Sequence, residues 1–124
     1  MPDARRPNVR QQVGAAGEAA VAHWYGEAGY AVVARNWRVR EGEIDLVARR
    51  DRTIVFCEVK TRRGDAFGTP AEAVTPRKQA RLRRLAVRWL ADNSARADVL
   101  RFDVASVTPD GRGSWIVDVL EAAF

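Results

Sequence analysis

Apolar and small residues from Val13 onward fall at Gly17, Ala20, Val21, Trp24 and Ala28, the spacing of one helix face. Gly29 follows where a left-handed cap would end that helix. Tyr30 to Trp37 alternates loosely around a β-branched centre and predicts a short strand. Glu43 to Arg49 and Ile54 to Lys60 are two strand-like runs separated by the polar turn Arg50, Asp51, Arg52 and Thr53, which predicts a hairpin. Thr61 to Thr75 contains Gly64, Gly68 and Pro70 and predicts a long loop with one helical turn at most. Loops of that length in small domains are often functional. Thr75 and Pro76 start a second helix, the first as a capping hydroxyl and the second as a first-turn residue whose missing N–H costs nothing there. Leu82, Leu85, Ala86, Trp89 and Leu90 form its inward face, and Arg77, Arg81, Arg84 and Arg88 recur at helical spacing on another face. Val99 to Val107 and Trp115 to Leu120 predict two last strands around the turn Pro109, Asp110, Gly111. The order is helix, three strands, helix, two strands, without repeats.

At 124 residues and 47% hydrophobic content the chain has room for one domain, expected over residues 9–124. Residues 1–8 carry two prolines and several charges without periodicity and are expected to be a flexible arm. The charge of +5 arises from 21 basic and 16 acidic residues, nearly all the basic ones arginine. Arginine presents a planar fork that fits phosphate, so a polyanionic partner is expected, although arginine-rich composition also follows from genome base content. One cysteine, Cys57, and one histidine, His23, exclude an internal disulfide and the usual four-ligand zinc site. No apolar segment approaches membrane-spanning length and the N-terminal residues lack a signal-peptide core, so a cytoplasmic protein with no membrane partner is expected. The sequence leaves a homodimer open.

The hairpin carries the chemistry. A turn centred between Asp51 and Arg52 places Asp45 opposite Glu58 and Glu43 opposite Lys60, with all four charged groups on one side. Ile44, Leu46, Cys57 and Val59 fall on the other side as a core-facing set, and a one-residue slip would put that set in water. Two opposed carboxylates repel unless a cation lies between them. Magnesium, or manganese in its place, takes oxygen ligands from one or two carboxylates and keeps its other positions for water and phosphate oxygens. Lys60, two residues beyond Glu58, can stabilise developing charge or orient an attacking water, and the set suits phosphodiester hydrolysis. An isolated E-x-K on a strand is otherwise an ordinary surface pair; the matched aspartate and the basic helix next in sequence favour the catalytic reading.

The segments Gly-Glu-Ile-Asp-Leu-Val (Gly42 to Val47) and Phe-Cys-Glu-Val-Lys-Thr-Arg (Phe56 to Arg62) resemble the PD-(D/E)xK nuclease signature, and their context is similar to the YraN-like family of predicted endonucleases. The further matches are Gly14 to Glu18, Arg35 to Arg38, Lys78-Gln79 and the terminal Ala123-Phe124, so the resemblance covers nearly the whole chain. Ile44 stands where the signature has proline, a permissive position. The resemblance implies an α/β fold with a restriction-endonuclease-like core, a mixed five-stranded sheet flanked by helices, related to Holliday-junction resolvases. It makes Asp45 and Glu58 metal ligands, with the Val59 carbonyl as a third, and Lys60 the catalytic lysine. It adds Glu18 from the first helix and Gln79 from the second, although each by itself reads as a solvated helix residue.

For nucleic-acid contact the expected residues are Arg62, Arg63, Phe67, Arg77, Lys78, Arg81, Arg84 and Arg88. The tryptophans Trp24, Trp37, Trp89 and Trp115 read as packing residues, and His23 as a packing or surface residue. Gly14-x-x-Gly17 has no preceding strand and no Gly-Lys-Ser, so helix packing explains it better than phosphate binding. Three functions share these features: a Mg²⁺-dependent endonuclease acting on DNA, including branched repair or recombination intermediates; a non-catalytic nucleic-acid-binding module on the same fold; and an RNA-directed nuclease.

Overall fold

The computed structural model describes residues 9–62 and 74–124, with side chains described from residue 14 onward. The expected arm at residues 1–8, and Arg63 and Phe67 in the glycine-bearing loop, lie outside the described residues. The elements are α1 (Val9–Glu27), β1 (Ala31–Val39), β2 (Gly42–Arg50), β3 (Thr53–Thr61), α2 (Pro76–Asp92), β4 (Val99–Pro109) and β5 (Trp115–Leu120). The strands form one mixed sheet in the order β1-β2-β3-β4-β5. All neighbours are antiparallel except β3 and β4, which run parallel. A parallel pair needs a long crossover, and α2 lies within it.

Local chemistry sets most boundaries. Thr75 caps α2, its Oγ1 accepting from the Lys78 amide at 3.3 Å, with Pro76 in the first turn. Gly29 ends α1 at φ +88°, where an added side chain would be strained, and Tyr30 donates its amide to the Tyr25 carbonyl at 2.9 Å. Between β4 and β5 the Asp110 carboxylate accepts from the amides of Arg112 and Ser114, at 2.7 and 3.0 Å.

The sheet is covered on both faces. Val21 and Tyr25 of α1 pack with Tyr30, Leu46, Ala48, Val55, Cys57, Ala105 and Val107. Leu85, Ala86 and Trp89 of α2 pack with Ile44, Val47, Ile54 and Phe56 on the other side. Each such fully buried aliphatic or aromatic side chain is stabilised by about 1.5–3 kcal/mol relative to exposure. Coverage on both faces explains why β2 and β3 carry continuous buried runs rather than simple alternation. It also corrects the expectation of a single apolar face at Ile44, Leu46, Cys57 and Val59. Leu46 and Cys57 lie in the cluster under α1 with Val59 packed against it, whereas Ile44 belongs to the cluster under α2.

The α1 stripe is also shifted. Gly17, Val21 and Tyr25, four residues apart, are the buried line, and Trp24 is only half-buried beside it. Gly17 is required by proximity, because a Cβ there would collide with Oγ1 of Thr61 at the end of β3. Helix α1 therefore approaches β3 directly beside Lys60.

Candidate active site

The β2–β3 ladder has the expected register, from Arg50↔Thr53 at the turn to Leu46↔Cys57. It stops there among the described pairings, one step before Asp45 and Glu58. In place of a further backbone pair, the Val59 amide donates to Oδ2 of Asp45 at 2.8 Å. The strands continue apart: β2 stays paired with β1 as far as Val39↔Gly42, and β3 with β4 as far as Thr61↔Val107. Asp45 thus sits where β2 and β3 part, on the face covered by the start of α2.

A half-enclosed cavity of about 250 Å³ occupies this position, lined by Gly42, Glu43, Asp45, Glu58, Lys78, Arg81 and Leu82. Its sheet side is acidic and its helix side basic. Asp45 is 8% exposed, and its carboxyl is pushed up to about 7 by burial first and by the neighbouring Glu58 second. The Val59 amide opposes that shift, while Glu18 and Glu43 add to it. Lys60 reaches Glu58, with Nζ 3.4 Å from Oε1, both side chains being largely covered. Lys60 therefore neutralises one of the two carboxylates and leaves the other short of a cation.

The remaining expected residues divide. Glu43 lines the cavity, but its Oε2 accepts from Nε of Arg38 at 2.8 Å, so it is already partnered by a cation of β1. Glu18 stands close enough to act on the charge of Asp45. Gln79 does not line the cavity; its Nε2 donates to the Val74 carbonyl at 3.1 Å, bracing the entry to α2. Lys78 and Arg81 line the cavity. Arg77 and Arg84 are exposed, and Arg88 is paired with Glu41 and Asp92. Exposed His23 faces Glu27 at 3.7 Å, and Trp89 meets Phe56 edge to face at 5.8 Å.

A family model described as "Uncharacterised protein family UPF0102" matches residues 17–107, which takes in Glu18, Asp45, Glu58, Lys60 and all of α2. The chain belongs to that family. A UPF0102 protein of Nocardia farcinica is 52% identical over 121 residues, covering 96% of this chain and 94% of the relative. A UPF0102 protein of a Parafrankia species is 49% identical across 94% of this chain and 98% of its own length. One from Symbiobacterium thermophilum is 47% identical with the same coverage. The UPF0102 chain has no helix, among its described residues, long and apolar enough to cross a membrane.

One cluster of charged and hydroxyl groups in this UPF0102 chain went unforeseen. Asp103, fully buried on β4, accepts from the Tyr25 hydroxyl at 2.6 Å, from Nε and Nη2 of Arg101 at 2.9 Å each, and from the Ala122 amide at 3.0 Å. Arg101 also donates to the Tyr30 hydroxyl at 3.0 Å. The only trace of this network in the sequence is the Arg-x-Asp spacing on one strand face.

Proposed function

We propose that this chain is a metal-dependent endonuclease-like protein that hydrolyses phosphodiester bonds in DNA. The observation that carries the reading is the cavity itself: two carboxylates, Asp45 and Glu58, face Lys78 and Arg81 across a space wide enough for a phosphate, with Lys60 against Glu58. A wall of carboxylates opposite a wall of cations suits a phosphodiester that reaches the acidic side through a divalent ion.

The residues fit such an ion. Burial and Glu58 push the Asp45 carboxyl up to about 7, the condition of a carboxylate lacking a nearby positive charge. Asp45 and Glu58 would hold Mg²⁺ or Mn²⁺, with the Val59 carbonyl as a third donor; two carboxylates with remaining positions left to water and substrate is the habit of Mg²⁺. When bound, the ion would supply Lewis-acid stabilisation of the phosphoryl oxygens. The protein groups have separate tasks. The Val59 amide fixes the rotamer of Asp45. Lys60 offers an ammonium for charge developing at phosphorus. Lys78 and Arg81 hold phosphate oxygens from the helix side, and the burial of Asp45 keeps bulk water from screening these interactions.

The test is incubation of the purified chain with branched, single-stranded and duplex DNA, and with RNA, in Mg²⁺, Mn²⁺ or EDTA. Metal-dependent cleavage of at least one DNA form is expected. Hydrolysis that persists in EDTA, or cleavage of RNA alone, would overturn the reading.

A further inference from the structure

Four of the five arginines of α2 form the ridge and fall into two electrostatic states, while the fifth, Arg83, lies over the Phe102 and Phe124 rings. Arg77, Arg81 and Arg84 are exposed and form no ion pair among the described residues. Arg88, on the same face, donates from Nη1 to Oε2 of Glu41 at 2.5 Å, and its Nε lies 3.7 Å from Oδ2 of Asp92. Between these sets lies a second cavity, about 300 Å³, lined by Glu41, Arg81, Arg84, Leu85 and Arg88. Arg81 lines both cavities, so the second is the immediate continuation of the carboxylate site along α2.

We propose that this second cavity is a subsite for the phosphate next to the one at the carboxylates, held by Arg81 and Arg84, and that Glu41 and Asp92 end the phosphate track by neutralising Arg88. The subsite rests on the nuclease reading above and fixes how far along α2 the strand is gripped. A helix rises about 1.5 Å per residue, so Lys78 and Arg84 are separated by roughly 9 Å along the axis, enough for two successive phosphates rather than one. Leu85 gives the cavity an apolar side against which a sugar can lie. At Arg88 the potential changes. Two carboxylates within 4 Å cancel the guanidinium charge, and a phosphate arriving there would have to displace Glu41 against like-charge repulsion. The regular spacing of four arginines therefore overstates the basic track by one.

The subsite can be counted by counterion release. For single strands the logarithmic salt slope changes by about 0.7 for each phosphate that the protein neutralises. The measurement is fluorescence anisotropy of a labelled single-stranded DNA oligonucleotide, titrated with the full chain in Ca²⁺ across a salt series. Arg84→Ala should reduce the slope by about 0.7 and weaken binding roughly five- to tenfold at low salt, whereas Arg88→Ala should leave the slope unchanged. Glu41→Gln combined with Asp92→Asn should steepen the slope by about 0.7 and tighten binding, because together they release Arg88 from both of its carboxylates, and adding Arg88→Ala to the pair should abolish that gain. All four side chains lie on the surface, so the variants keep the fold. An Arg88→Ala slope change equal to that of Arg84→Ala, or no effect of Glu41→Gln combined with Asp92→Asn, would overturn the subsite. If the wild-type chain still cuts DNA in Mg²⁺, only this inference falls; if it neither binds nor cuts, both fall.

Discussion

Asp45 and Val59 are joined side chain to main chain, the Val59 amide donating to Oδ2 of Asp45 at 2.8 Å where backbone pairing between β2 and β3 has stopped. The carboxylate thus replaces a ladder bond and is held at the mouth of the opening between the strands. That position gives it a structural role and a functional cost together, because it is buried beside Glu58.

The cost predicts a pH dependence in the metal-free protein. Unfolded, Asp45 titrates at about 3.9; folded, its carboxyl is raised to about 7 by burial and Glu58. Between those values the native state holds a proton that the unfolded state has released, so this contribution to stability is complete below about pH 4 and is lost as pH rises through 7. The loss is on the order of 4 kcal/mol across the window. Asp45→Asn retains an oxygen for the Val59 amide but cannot ionise. In EDTA at pH 8 it should melt at or above the wild-type temperature, and its stability should vary less between pH 4 and pH 7. Mg²⁺ or Mn²⁺ should raise the melting temperature of wild type, since a ligand of the native state stabilises it, and should raise that of the variant much less. A variant destabilised in EDTA that keeps the full metal-induced shift would show Asp45 to be purely structural.

Lys60 lies against Glu58 at 3.4 Å rather than in the lining of the carboxylate cavity. Its expected work is therefore on charge that develops during reaction, not on capture of the strand. Lys60→Ala should lower the single-turnover cleavage rate by about two to three orders of magnitude, the usual effect of deleting one group that stabilises transition-state charge. DNA affinity in Ca²⁺ should change by less than about threefold. Equal losses in affinity and rate would reassign Lys60 to substrate binding.

Much of the fold was legible because it is encoded locally. The Thr75-Pro76 start of α2, the hairpin register from Arg50↔Thr53 inward and the span of β5 each depend on neighbours within a few residues. What was not legible depends on distant partners. Strict alternation assigns Ile44 to the face of Leu46, but the ladder to β3 ends beside it and Ile44 packs under α2. Helical spacing shows Arg88 in line with Arg84, but not that Glu41, 47 positions away, neutralises it. Gln79 has a site-like place in the motif, yet the local carbonyl of Val74 takes its amide.

Close packing of α1 on β3 makes a further prediction. A Cβ at Gly17 would meet Oγ1 of Thr61, immediately beyond Lys60 on the strand. Gly17→Ala should destabilise the fold by about 1–3 kcal/mol, the usual cost of overpacking, and should also slow cleavage by displacing the end of β3. Thr61→Ala removes the obstructing oxygen and should restore stability in the double variant. A double variant no more stable than Gly17→Ala in chemical denaturation would show that the collision is not the cause.

Asp103 is fully buried and accepts four hydrogen bonds, one from Tyr25, two from Arg101 and one from Ala122. These donors come from α1, from β4 and from the segment after β5, so one carboxylate ties three parts of the chain together. The bidentate guanidinium supplies the carboxylate with a counter-charge, and burial with Asp103 beside it pushes the Tyr25 phenol well above its usual range. Asp103→Ala leaves a mostly buried Arg101 with only the Glu121 carboxylate, 3.7 Å from Nη1, and the Tyr30 hydroxyl, and breaking a buried pair from one side typically costs about 3–5 kcal/mol. Tyr25→Phe removes only one hydroxyl and should cost about 0.5–3 kcal/mol. Combining the two should cost less than their sum, because once Asp103 is gone the hydroxyl has lost its acceptor. Urea denaturation of the two single variants and the double variant measures this coupling, and strictly additive losses would show that the hydroxyl and the carboxylate act independently.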